Sequence, residues 1–143
     1  MGRRHNNKGR SRREGQYAPL SYSMLKHPAW RGLGGNAVKV WLEIRSRYTV
    51  RGDDSNNNGE LTLSMDEAAR LLNIGKSSVS RAFKELQEAG FLVKEKPGHW
   101  YGRKATEWRV TDLACKGKLA SRDWQKKHCE KTKVGTEAAH IQR

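Results

Sequence analysis

The chain has 143 residues, with 29 Lys+Arg against 15 Asp+Glu and a formal net charge of +14. That length holds one domain of about 100 residues and its extensions; no apolar run approaches the ~20 residues of a membrane span, and residues 1–30 lack the apolar block of a secretory signal. The surplus charge sits at the ends: residues 1–14 carry six basic side chains and one acidic, residues 115–143 eight and three, and residues 15–114 fifteen and eleven. A nearly balanced body with two basic ends predicts a folded domain with polyanion-seeking arms.

Residues 1–16 contain no hydrophobic side chain after Met1 and are expected to be disordered. Met24, Leu25, Trp30 and Leu33, set around His27–Pro28, predict a short helix and turn that close one side of the core. Asn36 is placed to cap a helix running to about Tyr48, with the stripe Ala37, Trp41, Ile44 and Tyr48, while Lys39, Glu43 and Arg47 can pair along another face. In the polar loop 51–59, Asp54, Asn56, Asn58 and Gly59 imitate the first half of a calcium loop. The twelfth position is Met65 where a bidentate Glu is required, so a turn into a strand is the better reading. That strand is Glu60–Leu63, with Leu61 and Leu63 inward, and Ser64 with Glu67 forms a capping box that opens the next helix.

Residues 67–92 then read as two short helices, a tight turn and a strand. Ala68 and Ala69 let a second helix cross closely, Leu71, Leu72 and Ile74 supply an apolar face, and Gly75 occupies the turn. Ser77 is read as the cap of the second helix, whose apolar positions Val79, Ala82, Phe83 and Leu86 recur at helical spacing. Its other face offers Ser77, Arg81 and Lys84, flanked by Ser78 and Ser80, which is what a major groove admits. Gly90 stops this helix; Phe91–Lys96, with Phe91 and Val93 on one face, and Thr106–Thr111, with Trp108 and Val110 on one face, are paired strands. The loop PGHWYGRKA between them is the wing of a winged helix-turn-helix. The expected fold is therefore mainly α with a small β-sheet: a basic arm at 1–16, a winged helix-turn-helix at 17–113, and a basic tail at 114–143 holding a short helix near Ala120–His128 anchored by Trp124.

These segments resemble a known group. AARLLNIGKSSVSRAFKEL is similar to the winged helix-turn-helix segment of bacterial transcription regulators, and the wider string resembles small helix-turn-helix proteins of bacterial chromosomes, plasmids and prophages. The matching pieces are GQY at 15–17, HPAWRGL at 27–33, AVKVWLEIRSRY at 37–48, NNGELTLS at 57–64, the motif itself and ATEWRVTD at 105–112. The resemblance spans residues 12–125 and implies a DNA-binding winged helix without enzymatic activity.

The candidate DNA contacts follow from the residues themselves. Arg81 can reach guanine acceptors bidentately and Lys84 an acceptor or a phosphate. Lys76, Ser77 and Ser78 gather at a helix N-terminus, where N–H groups and the dipole favour phosphate; Ser80 either touches a base or packs beside Ala68. In the wing, His99, Arg103 and Lys104 are the candidates, with Trp100 and Tyr101 expected to pack on the wing or on a neighbouring subunit. The arm supplies Arg3, Arg4, Lys8, Arg10, Arg12 and Arg13 for phosphates. Trp30, Trp41 and Trp108 are assigned to the core.

Cys115 and Cys129 are read as free thiols in a reducing cytoplasm, and Cys115, His128, Cys129 and His140 lack the close ligand pair of a zinc site. Asp53–Asp54 and Asp66–Glu67 are turn and capping residues, so no catalytic set, cofactor or small-molecule ligand is expected. The expected function is sequence-specific binding of double-stranded DNA in transcription regulation. The rivals are a replication-origin or replication accessory role, and an RNA- or nucleoid-coating basic protein. No heptad helix marks a dimer interface, so a homodimer is left open.

Overall fold

The computed structural model describes residues 17–51 and 55–141, with side chains placed through Thr132. Two single-turn helices, α1 (Tyr22–Leu25) and α2 (Pro28–Arg31), lead into α3 (Gly35–Ser46). His27 caps α2 through its Nδ1, which accepts the Ala29 N–H at 3.1 Å, and Pro28 stands where a missing N–H costs nothing. The strand β1 (Leu61–Thr62) precedes α4 (Met65–Leu72) and α5 (Lys76–Ala89), and β2 (Leu92–Lys96), β3 (Glu107–Val110) and α6 (Asp123–Ile141) complete the chain.

The sheet is antiparallel in the order β1-β3-β2, with Leu61 opposite Trp108 and Leu92 opposite Val110. An irregularity between Lys94 and Lys96 twists β2 where the wing departs. Ala37, Val40, Trp41 and Ile44 of α3 pack with Val79, Ala82, Phe83 and Leu86 of α5, and the sheet adds Leu61, Leu92, Trp108 and Val110. Phe83 stacks flat on Trp108 with centroids 4.8 Å apart, which seats α5 on the sheet. A mainly helical chain with a three-stranded antiparallel sheet is the winged helix-turn-helix architecture expected from the sequence.

Several local expectations are corrected. The cap of α3 is Gly34 rather than Asn36, and the cap of α5 is Gly75 rather than Ser77, which lies inside the first turn. The left-handed residue of the turn is Asn73, at φ 54, while Gly75 is extended. Leu71 points to solvent at 47% exposure, leaving Ala68 as the buried residue of α4. Phe91 precedes β2, and Leu92 is the buried strand residue instead of Val93. Tyr48 falls just past α3 and is half-buried.

The segment after Leu113 holds a longer helix than the short one expected, and Trp124 anchors it. Gly90 ends α5 at φ 88, and a Cβ there would stand 2.6 Å from the Trp124 backbone nitrogen. Gly90 therefore supplies both the turn and the seat for the start of α6. Trp124 lies flat against Phe91 at 5.8 Å and edge-on to His27 at 4.7 Å. Burial, reinforced by the nearby His128, holds the His27 imidazole below its ordinary value.

Candidate nucleic-acid interface

The site starts from Ser64, whose hydroxyl accepts the Glu67 N–H at 3.1 Å and sets the start of α4. Glu67 also reaches across to α3, where Arg47 bonds it at 3.0 Å and Glu43 at 3.0 Å. The hydrogen bond from Arg47 outweighs desolvation and holds the Glu67 carboxyl below its ordinary value. For Arg47 burial acts downward, but its bonds to Glu67 and Glu43 together raise it. This clamp fixes α4 on α3, and α4 in turn presents α5.

On α5, Lys76, Ser77, Ser80, Arg81 and Lys84 are exposed, and Ser78 is half-buried. Lys76 pairs with Asp66 of α4. The Arg81 Nε donates to the Ser77 carbonyl at 3.4 Å, so the guanidinium lies along the first turn of its own helix. Ser78 and Arg81 border a small cleft of about 250 Å³ against Gly34–Asn36 at the start of α3. Glu85, one turn on, lines the same cleft, where its Oε1 accepts the Gly34 N–H at 2.8 Å. It thereby places a carboxylate at the start of α3 and takes the reciprocal bond of a capping box from another helix, while Gly34 offers no side-chain cap.

The wing stands on a short ladder. His99 and Lys104 exchange backbone hydrogen bonds of 3.0 and 3.3 Å, and the Gly98 N–H donates to the Thr106 hydroxyl at 3.2 Å. A Cβ on Gly98 would lie 2.7 Å from the Lys104 carbonyl oxygen, so only glycine lets the two strands of the wing close. Arg103 holds a left-handed φ of 49, a conformation that favours glycine. Of the two expected settings for Trp100 and Tyr101, packing on the wing is not found: within the single chain they are 80% and 102% exposed and meet edge-on at 6.2 Å.

Between α5 and the wing runs a groove of about 450 Å³, bordered by Ser80 and Lys84 on one side and His99, Trp100 and Lys104 on the other. Its floor includes Lys94, which the sequence reading overlooked; the Lys94 ammonium lies 5.7 Å from the Trp108 ring centroid. The signal was available in the strand alternation, because Lys94 comes two residues after Leu92 and so shares the face that α5 covers. The structure thus brings Ser80, Lys84, His99 and Lys104 to one groove, with Lys76, Ser77 and Arg81 on the adjoining exposed turn. Arg103 is exposed at the wing. Arg3, Arg4, Lys8, Arg10, Arg12 and Arg13 lie outside the described residues, as do Asp53, Asp54 and the His140 side chain. Among the described residues no group of three or more His, Cys, Asp or Glu could hold a metal ion, Cys115 and Cys129 are free thiols, and no helix is long and apolar enough to cross a membrane.

Residues 55–99 match the model of the MarR family. The match covers β1, α4, α5, β2 and the first residues of the wing, and it supports a winged helix DNA-binding domain of the kind found in transcription regulators. No curated protein and no solved structure matches the chain.

Proposed function

We propose that the protein is a sequence-specific double-stranded DNA-binding regulator of transcription, acting in the cytoplasm, that reads the major groove with the first half of α5 and grips the flanking backbone with its wing. The observation that carries this reading is the shared face. Lys84, Lys94 and Lys104 border one groove with no carboxylate among the described residues of its lining, Arg81 adjoins it, and Asp66 is paired with Lys76. Such a face presents donors and positive charge to a duplex with little opposing repulsion. Arg81 and Lys84 read bases or phosphates; Lys76, Ser77, Ser78 and Ser80 serve the helix entry. His99, Arg103 and Lys104 neutralise backbone, and the arginines and lysine of residues 3–13 add phosphate contacts. The MarR match favours regulation over a replication role or nucleoid coating.

Selection of bound sites from random duplex DNA tests the reading. One enriched motif is the expected result, and a palindromic motif would indicate a homodimer. On that motif Arg81→Ala should weaken binding by about 1–3 kcal/mol and relax preference at one base position. Absence of any enriched motif would overturn sequence-specific regulation. Equal loss on selected and scrambled duplexes would make Arg81 a phosphate contact.

A further inference from the structure

Trp100 and Tyr101 are the most exposed aromatic pair of the described fold, and exposure of two large rings costs solubility without adding to the core. Their surroundings select the chemistry of what covers them. Loop residues 97–106 contain His99, Arg103 and Lys104 and no acidic side chain. The acids at the base of the wing are engaged: Glu95 bonds Arg109 at 2.6 Å and Glu107 meets Lys96 at 3.2 Å. An apolar tip set in uncompensated positive charge suits a polyanion that also offers flat apolar surfaces. A stacked base pair within a phosphate backbone meets both requirements.

Position and stiffness point the same way. Trp100 borders the groove across from Ser80 and Lys84, so the tip lies on the face assigned to the duplex. The His99–Lys104 ladder and the closure allowed by Gly98 hold the tip on a short support rather than a free loop. A wedge needs such support, because separating a base step costs a few kcal/mol, and a loose loop would yield before the stack did.

We propose that Trp100 and Tyr101 form an apolar wedge that enters a base step of the bound duplex beside the site read by α5 and unstacks it. This rests on the DNA-binding reading above. The wedge gives the wing a share in site choice without hydrogen bonds to base edges, since pyrimidine–purine steps open more readily than others.

The test uses the full chain and the selected duplex, with 2-aminopurine placed singly along both flanks and a distal dye reporting binding by anisotropy. At saturation, emission should rise several-fold at one or two adjacent positions on the wing side. Trp100→Ala with Tyr101→Ala should abolish that rise while anisotropy still reports a complex. Trp100→Phe with Tyr101→Phe should retain it. Circular dichroism of each variant should match the parent, because both side chains lie outside the core. Saturation without an emission change at any position would overturn the wedge. So would an unchanged rise in the double Ala variant, or a loss of self-association by that variant with no emission change in the parent, which would make the tip a protein interface. If no duplex changes the anisotropy, the DNA-binding reading itself fails and the wedge falls with it.

Discussion

Asn58 offers the sharpest test of how the sheet beneath the wing is held. The ladder between β1 and β3 pairs Leu61 with Trp108 and Thr62 with Glu107, so continuing the register would set residue 59 opposite Val110. Gly59 instead turns away at φ 95. The amide of Asn58 takes its place: Oδ1 accepts the Val110 N–H at 2.9 Å and Nδ2 donates to the Val110 carbonyl at 2.9 Å. The same Nδ2 lies 3.2 and 3.1 Å from the carbonyls of Leu113 and Ala114. A buried side chain therefore serves as the missing peptide unit of β1.

The size of the effect is set by the groups left without partners. Asn58→Ala strips partners from the buried N–H and C=O of Val110, each costing about 1–3 kcal/mol when unsatisfied, so the expected loss is about 2–6 kcal/mol. Asn58→Asp keeps the shape and still accepts from the Val110 N–H, but it aims a carboxylate at three carbonyl oxygens. It should be the worse of the two at pH 7 and recover as acidification protonates it, because burial among acceptors raises its folded value and disfavours the charged form. Urea unfolding followed by circular dichroism at pH 7 and pH 5 gives both quantities. A loss below about 0.5 kcal/mol for Ala, the range of ordinary surface changes, would refute the account; so would an Asp variant no worse than Ala at pH 7.

Other expectations address the helix ends, the wing and the arm. Gly90→Ala places a methyl against the Trp124 backbone at φ 88, and should lower the thermal midpoint and expose Trp124, read as a red shift in tryptophan emission relative to the parent. His27 is held below 6.5, so its stabilising share is complete above that pH and shrinks as the pH falls through the interval down to its lowered folded value. His27→Asn keeps a capping side chain without the titration, and its midpoint should fall less than the parent's between pH 7.5 and 5. Arg103→Gly relieves a left-handed residue and should leave stability unchanged or raise it by up to about 1 kcal/mol, while weakening all duplexes alike; an unchanged affinity would place Arg103 away from DNA. Deleting residues 2–13 should leave the thermal midpoint unaltered and make the slope of log affinity against log salt shallower by up to about five, whereas an unchanged slope would remove the arm from the interface.

The sequence made legible those elements in which local spacing and burial ask for the same residue. Val79, Ala82, Phe83 and Leu86 keep the helical period and are all buried. Ser64 stands directly before α4 and caps it, and Gly90 suits both the end of α5 and the seat of α6. The caps misread at Asn36 and Ser77 show the opposite case. Each has the favoured side chain, yet the structure starts the helices at Gly34 and Gly75. At Gly34 the partner is Glu85, distant in sequence, whose carboxylate accepts the N–H of the cap residue as the Glu of a capping box does. No window around Gly34 contains that carboxylate.

The site divides along the same line. That α5 would carry Arg81 and Lys84 outward was readable, because positions off an apolar stripe face solvent whatever the tertiary contacts. The alternation from Leu92 put Lys94 on the same face of β2, but that it is exposed there with its ammonium over Trp108 depends on where α5 stops covering the sheet. The wing aromatics mark the farthest departure. Large rings ordinarily go inside, and the expectation that Trp100 and Tyr101 would pack on the wing, one of the two settings considered, obeyed that rule. The ladder closed by Gly98 brings the two arms of the wing so near one another that its tip has no interior to offer, and both rings are left in solvent. A burial rule applied residue by residue cannot foresee this, because the exposure is imposed by backbone closure two residues away. The departure is informative about function for that reason: closure that keeps two rings out of the fold leaves them free to act on something outside it.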